Sequence, residues 1–308
     1  MHHGFNFGIL ARFSKNIFLQ DNVIYKPALA GINLGSMTNI TVDGNIVGVV
    51  RTMINTLEGL GVSDNVIQAG IVTCTFWSER GDKCYDITMT NNIVAGAYWA
   101  GYTAWGHECG VYTSNTFKNN VAHSVNRAQG GVGAIIVPDR TSKEQMSQCY
   151  EASNFVAYKV SQEGAMYYDI GPIDVRYTNM TMIDNAKGIG ILMAVKAGRE
   201  YRELKTNFTN NFMYGSSPEI APDCPKAGGY CFKYTKCGLM STVIVYGPND
   251  VHTLMCKPYD MAWDIADWGA QTTLTGNTFA NFKSRTADGK RQSIFCVNEF
   301  ASDYINPH

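Results

Sequence analysis

Short runs in which apolar and polar residues alternate recur along the chain: Ile40 and Val42 alternate with Thr41 and Asp43, and Ile87 and Met89 with Thr88 and Thr90. A period of two puts the apolar members on one face of an extended strand. The 3.6-residue spacing of a helix is poor throughout, so the pattern predicts an all-β protein built from many short strands.

The runs belong to a repeat. Asn16-Ile17-Phe18-Leu19-Gln20-Asp21-Asn22-Val23-Ile24 is followed by Asn39-Ile40-Thr41-Val42-Asp43-Gly44-Asn45-Ile46-Val47, with the same internal spacing. Further copies fall at Val62 to Ile67, Asp86 to Val94, Thr116 to Val121, Asn179 to Asn185 and Phe208 to Phe212, with a weaker one at Leu274 to Phe279. The Asn markers at 22, 45, 65, 92 and 120 are separated by 23, 20, 27 and 28 residues. A period of this size marks a solenoid. The Leu spacing of a leucine-rich repeat is absent, and a propeller blade needs a longer unit of four strands. The pattern predicts a right-handed, single-stranded parallel β-helix with projecting loops. One domain fills residues 1–308, with regular coils over about 5–215 and less regular ones over about 216–308. Asn tolerates the left-handed backbone region and bonds to nearby peptide groups at bends, so Asn22, Asn45, Asn65, Asn92, Asn120 and Asn185 are expected to stack as a ladder from coil to coil. Trp77 to Lys83, Arg140 to Gln148 and Glu219 to Gly229 interrupt the period and are expected to project as loops.

Composition agrees with a packed solenoid. The 308 residues are 45% hydrophobic and 17% charged, with 30 Gly. The net charge of -1 and the absence of a Lys/Arg run exclude a nucleic-acid surface. No stretch approaches the roughly 20 apolar residues of a membrane span, and the start lacks the apolar core of a signal peptide. The chain is therefore expected to be intracellular, or an internal piece of a longer exported protein. Nine cysteines with no zinc-type CxxC pair allow small disulfide loops, Cys74 with Cys84 and among Cys224, Cys231 and Cys237; the alternative is ordinary buried thiols. Three glycosylation sequons, at Asn39, Asn179 and Asn207, favour an oxidising, glycosylating compartment.

Several phrases then occur in a recognisable order. They are Asn91 to Gly96 with Gly101-Tyr102 and His107-Glu108-Cys109, Asn119 to Ser124 with Gly131-Val132-Gly133, Tyr177 to Ala186, Gly215 to Glu219 with Cys224 behind it, and Asp303 to His308 at the end. The set resembles the β-helix region of the fibrocystin family. That resemblance implies an extracellular parent, tethered to the membrane through other segments and associated with cilia. It also implies G8 and immunoglobulin-like modules outside these residues. The expected function is a non-enzymatic structural or adhesive rod that contacts other extracellular protein subunits or glycans, with no cofactor and no metal.

The alternative is a polysaccharide-cleaving β-helix, a hyaluronidase-like protein or another glycoside hydrolase or lyase. Such chemistry needs a positioned acid and base. His107, His123 and Asp184 are the residues to test for it, against their plainer reading as hydrogen-bonded coil-edge and turn residues. Trp99, Tyr102 and Trp105, and the pair Trp263 and Trp268, are either sugar-stacking or core-filling aromatics.

Overall fold

The computed structural model describes residues 7–35, 37–50, 69–73, 85–105, 109–110, 113–125, 131–137, 149–161, 163–169, 174–185, 187–196, 205–215, 217, 237–246, 271–282 and 293–297. All regular structure among them is β. The first coil runs through β1 (Phe7–Arg12), β2 (Lys15–Gln20) and β3 (Val23–Tyr25), and the second through β4 (Ala30–Gly35), β5 (Thr38–Asp43) and β6 (Ile46–Gly48). The third contains β7 (Ala69–Thr73), β8 (Tyr85–Thr90) and β9 (Ile93–Ala95). The fourth adds a small hairpin: β10 (Ala100–Trp105), β11 (Cys109–Gly110), β12 (Thr113–Ser114), β13 (Thr116–Lys118) and β14 (Val121–His123). Coils five and six follow as β15 (Val132–Val137), β16 (Cys149–Ser153), β17 (Val156–Tyr158), β18 (Glu163–Asp169), β19 (Asp174–Thr178) and β20 (Thr181–Ile183). The last two complete coils are β21 (Lys187–Lys196), β22 (Lys205–Thr209), β23 (Phe212–Tyr214), β24 (Cys237–Tyr246), β25 (Gln271–Thr275) and β26 (Thr278–Ala280), and β27 (Ser293–Val297) begins another.

Each coil adds one strand to each of three sheets. Sheet I has nine strands in the order β1-β4-β7-β10-β15-β18-β21-β24-β27; sheet II runs β2-β5-β8-β13-β16-β19-β22-β25 with β11 and β12 at its side; sheet III holds the eight strands from β3 to β26. Neighbouring coils pair in parallel, as the register Val23↔Ile46↔Ile93↔Val121 illustrates. The fold is a parallel β-helix, as the repeat predicts.

The bend from sheet II to sheet III explains the repeated phrase. One residue of every coil turns into the left-handed region there: Asp21, Gly44, Asn91, Asn119, Asn154, Asn179, Asn210 and Gly276, at φ between 52° and 66°. Asn, Asp and Gly are the residues that occupy this region at least cost, so the corner selects them. The next residue points inward.

Inside the coils the core is a set of columns. Ile32, Ile40, Val42, Val47, Ile71, Ile87, Met89 and Val94 are fully buried or nearly so, whereas Ile9, Ile17 and Leu19 of the first coil are only half-buried. Stacking of the next coil is thus what completes burial. Where sheet I crosses closest to sheet III there is no room for a side chain: a Cβ on Gly101 would lie 2.4 Å from the carbonyl oxygen of Gly133 and 2.8 Å from the Ala122 Cβ. Tyr102, which the sequence leaves as core or surface, lies in the core; its hydroxyl sits between the carbonyls of Asn92 (2.7 Å) and Val121 (2.9 Å).

One register differs from the sequence reading. Ile46 pairs directly with Ile93, so the coil that follows Asn45 closes at Asn92. Asn65, expected in the ladder, lies outside the described residues. The stretches expected as loops, Trp77 to Lys83, Arg140 to Gln148 and Glu219 to Gly229, also lie outside the described residues, as do Trp263 and Trp268.

Candidate functional site

The inward residues after the bend form the polar column of the solenoid. Asn22 Nδ2 donates to Asn45 Oδ1 (2.8 Å), Asn45 Nδ2 to Asn92 Oδ1 (2.9 Å) and Asn92 Nδ2 to Asn120 Oδ1 (3.0 Å), and each Oδ1 also accepts the backbone N–H of the rung before it. The second amide hydrogen reaches a backbone carbonyl, as from Asn92 to Val42 and from Asn120 to Met89. Asn45, Asn92 and Asn120 are fully buried, so their amides have inward partners and are withdrawn from any ligand.

Phe155 and Met180 then occupy the column, as the register Val121↔Val156↔Thr181 requires, and it resumes with Asn211 Nδ2 donating to Asn277 Oδ1 (2.9 Å). Asn185 stands elsewhere. It follows β20 at the bend leaving sheet III, where its Oδ1 accepts the Val160 N–H (3.0 Å) and its Nδ2 donates to the Ala157 carbonyl (2.9 Å). Aligning the repeats on the left-handed Asn, and not on the last Asn of each phrase, separates Asn185 from the column and adds Asn211 and Asn277 to it.

A second, exposed chain of contacts runs along the outside of sheet II: Asn39 Nδ2 to Asn16 Oδ1 (2.7 Å), Asn91 Nδ2 to Asp43 Oδ1 (2.7 Å) and Asn154 Nδ2 to Asn119 Oδ1 (3.0 Å). The sequon residues Asn39 and Asn179 are exposed, and Asn207 is half-buried in β22. All three lie on sheet II or at its bend, where the outer face is mainly Thr, Ser, Asp, Lys, Glu and Arg.

The other two faces differ. Sheet I is buried on both sides at β4 and β7. On sheet III the middle residue of each strand points inward and the first and third point out. The outward set begins with Val23 (60% exposed), Tyr25 (42%), Ile46 (43%), Gly48, Ile93 (37%) and Ala95, passes through half-buried Val121, His123, Val156, Tyr158, Thr181 and Ile183, and ends with Phe212 (37%) and Tyr214. The seven strands from β3 to β23, at a spacing of about 4.8 Å, make this strip about 29 Å long. Lys26 and Lys159 stand at its margin, with the Lys26 ammonium 4.9 Å from the Tyr25 ring centre.

His123 belongs to this strip. Its ring stacks on Tyr158 at 4.6 Å and 7°, and its Nδ1 lies 3.2 Å from the Ser124 hydroxyl. Burial, and then the Lys159 ammonium, hold the imidazole below the usual histidine value. Asp184 is two coils away in register and buried; its Oδ1 accepts the Ser217 N–H, which ties its coil to the next. The described contacts therefore bring His123 to an aromatic ring and an ammonium, and not to a carboxylate. His107, Cys74, Cys84, Cys224 and Cys231 lie outside the described residues. Cys237 begins β24, where its neighbours in register are Lys187 and Ser293. No group of three His, Cys, Asp or Glu residues with metal-binding geometry occurs among the described residues, and none of their helices is long and apolar enough to cross a membrane.

Fold and face together define a β-solenoid whose inward Asn column is committed to its own architecture and whose third sheet presents a largely apolar outer face. In comparison with known proteins, the chain is 27% identical over 195 residues, 63% of its length, to fibrocystin of Canis lupus familiaris. It is also 27% identical over 189 residues, 61% of its length, to fibrocystin of Mus musculus. The match spans 4% of the length of each of these relatives. No family model matches the chain.

Proposed function

We propose that this chain is a non-enzymatic rod within a larger extracellular or cell-surface glycoprotein, which docks a protein partner along the outer face of sheet III. The observation that carries the reading is the run of exposed Val23, Ile46 and Ile93 in register on one face, continued by half-buried Val121 and Val156. A soluble surface ordinarily breaks up such contiguous apolar strips, and those that persist mark contact sites. A rigid, hydrogen-bonded scaffold holds these side chains in place before binding, which limits the ordering cost of association.

The partner is a protein, not a glycan. A sugar stacks on an open ring face, and His123 and Tyr158 each cover one face of the other. Exposed aliphatic side chains also gain nothing from the hydroxyls of a polysaccharide. Lys26 and Lys159 at the margin suit an acidic rim on the partner. The sequon residues Asn39 and Asn207 lie on sheet II, away from this strip, and Asn179 stands at the bend that leads into it. The similarity to fibrocystin supports a cell-surface and ciliary setting, with any membrane attachment in other parts of a longer chain.

Beads coated with the chain, presented to ciliated epithelial cells, test the reading. Adhesion is expected to survive enzymatic removal of surface glycans. It is expected to fall by about tenfold or more in the Ile46→Lys/Ile93→Lys double variant, whose circular dichroism stays unchanged, because each substitution places a charge in the contact centre. Adhesion no greater than that of uncoated beads, or undiminished in the double variant, overturns it. Loss of adhesion on glycan removal assigns the face to a glycan instead.

A further inference from the structure

We infer that Cys109 and Cys149 form a disulfide that staples the fourth coil to the fifth. Among the described strands, every pairing between successive coils is parallel except one: β11 runs antiparallel to β16, and their single pair of register partners is Cys109↔Cys149. Directly opposed residues of an antiparallel pair have Cα atoms about 4.5 to 5.5 Å apart. A disulfide accepts Cα separations of about 4.4 to 6.8 Å. The backbone thus brings the two cysteines to bonding range although 40 residues separate them in sequence, from 109 to 149.

Two features single this pair out. Cys237 and Cys296, the other cysteines with described strands, face Lys187 and Ser293, and Met240, respectively, and so meet no cysteine in register. The β11 strand is also held weakly: it has two residues, a two-residue partner in β12, and only one paired position with β16. Ladder hydrogen bonds at one position are little to keep a hairpin against a solenoid, whereas a covalent bond there would fix it. The staple sits where the chain enters sheet II in both coils, at the end of the stretch from Arg140 to Gln148 that interrupts the repeat.

The chemistry is ordinary thiol–disulfide exchange. One cysteine thiolate attacks an oxidant disulfide such as glutathione disulfide and releases one glutathione thiolate. The second cysteine then attacks the mixed disulfide, releases the second glutathione and closes the Sγ–Sγ bond. The two protons and two electrons lost by the protein thiols appear in two molecules of reduced glutathione.

The test equilibrates the purified full chain in a glutathione redox buffer, blocks free thiols with an alkylating reagent and maps the digest by mass spectrometry without reduction. A joined peptide pair containing Cys109 and Cys149, released by reductant, is the expected result. Alkylation of either cysteine in the oxidised protein, or its linkage to another cysteine, overturns the proposal. As a second measurement, Cys109→Ser and Cys149→Ser are each expected to lower the thermal midpoint of the oxidised protein, and the double variant to lower it no further than either single one. Additive losses would count against the bond. The buffer sets the redox condition, so failure here leaves the docking face of sheet III standing, and failure of adhesion leaves the staple standing.

Discussion

Asn45 donates its side-chain N–H to Asn92 Oδ1 across 2.9 Å, although the two residues are 47 positions apart in the chain and neither is exposed. The same oxygen accepts the Asn45 backbone N–H at 3.0 Å, so one buried atom satisfies two donors. Asn92→Ala would leave the Asn45 backbone N–H without its acceptor, take one of three acceptors from the Asn45 amide, and remove the side-chain donors to Asn120 Oδ1 and the Val42 carbonyl. With about 1 to 3 kcal/mol for each buried polar group left unpaired, the expected loss is about 3 kcal/mol or more. Asn22→Ala, at the half-buried start of the column, is expected to cost about 1 kcal/mol. Urea unfolding of the two variants checks the contrast, and equal losses would contradict the burial argument.

Phe155 replaces an Asn in the column, and the reason is packing. It is fully buried and meets Tyr102 edge-on at 5.9 Å and Phe117 at 5.5 Å. Phe155→Asn would offer an amide to the Asn120 rung, with each new hydrogen bond contributing about 1 kcal/mol. Removing the ring from a packed site costs about 3 to 5 kcal/mol in comparable core truncations. The variant is therefore expected to be less stable despite the extended ladder. A midpoint in urea at or above that of the parent protein would show that hydrogen bonding outweighs packing here.

The His123 imidazole takes up a proton less readily in the folded chain than in the unfolded one, owing to burial and to Lys159. Between its lowered folded pKa and the ordinary value near 6.5, the unfolded state binds more protons, so this group makes stability rise with pH and fall on acidification. His123→Phe keeps a ring on Tyr158 and removes the titration. Thermal midpoints at about pH 7.5 and pH 5.5 are expected to differ less in this variant than in the parent protein. An unchanged difference would mean that His123 is not the group responsible.

Asn39 and Asn179 are exposed and Asn207 is half-buried within a strand. In a mammalian secretory host, Asn39→Gln and Asn179→Gln are each expected to remove one glycan, read as a mass step that glycosidase treatment abolishes in the parent protein. No glycan at either position in a secreted product would count against the glycoprotein setting.

The β-helix was legible because two local preferences repeat together: period-two alternation, and Asn, Asp or Gly at a bend that needs positive φ. Asn91-Asn92, Asn119-Asn120 and Asn210-Asn211 carry both roles side by side, the first residue turning the backbone and the second facing inward. That signal is written in single residues, so it can be read without knowing what stacks on what. It weakens where the second Asn is replaced, as at Phe155 and Met180, and there the left-handed Asn154 and Asn179 still mark the bend.

Which coil meets which is a different kind of information. Asn45 bonds directly to Asn92 across 47 positions, and Asn185 has the phrase but sits at another bend, because inter-strand hydrogen bonds set the register. The strip from Val23 to Phe212 draws its residues from seven short strands, and the register sets Cys109 opposite Cys149 through one reversed hairpin. The sequence by itself determined the strands, the bends and the solenoid, all of which follow from neighbours along the chain. Only the tertiary structure decided the rungs, the open face and the cysteine pair, because each depends on residues brought together by stacking whole coils.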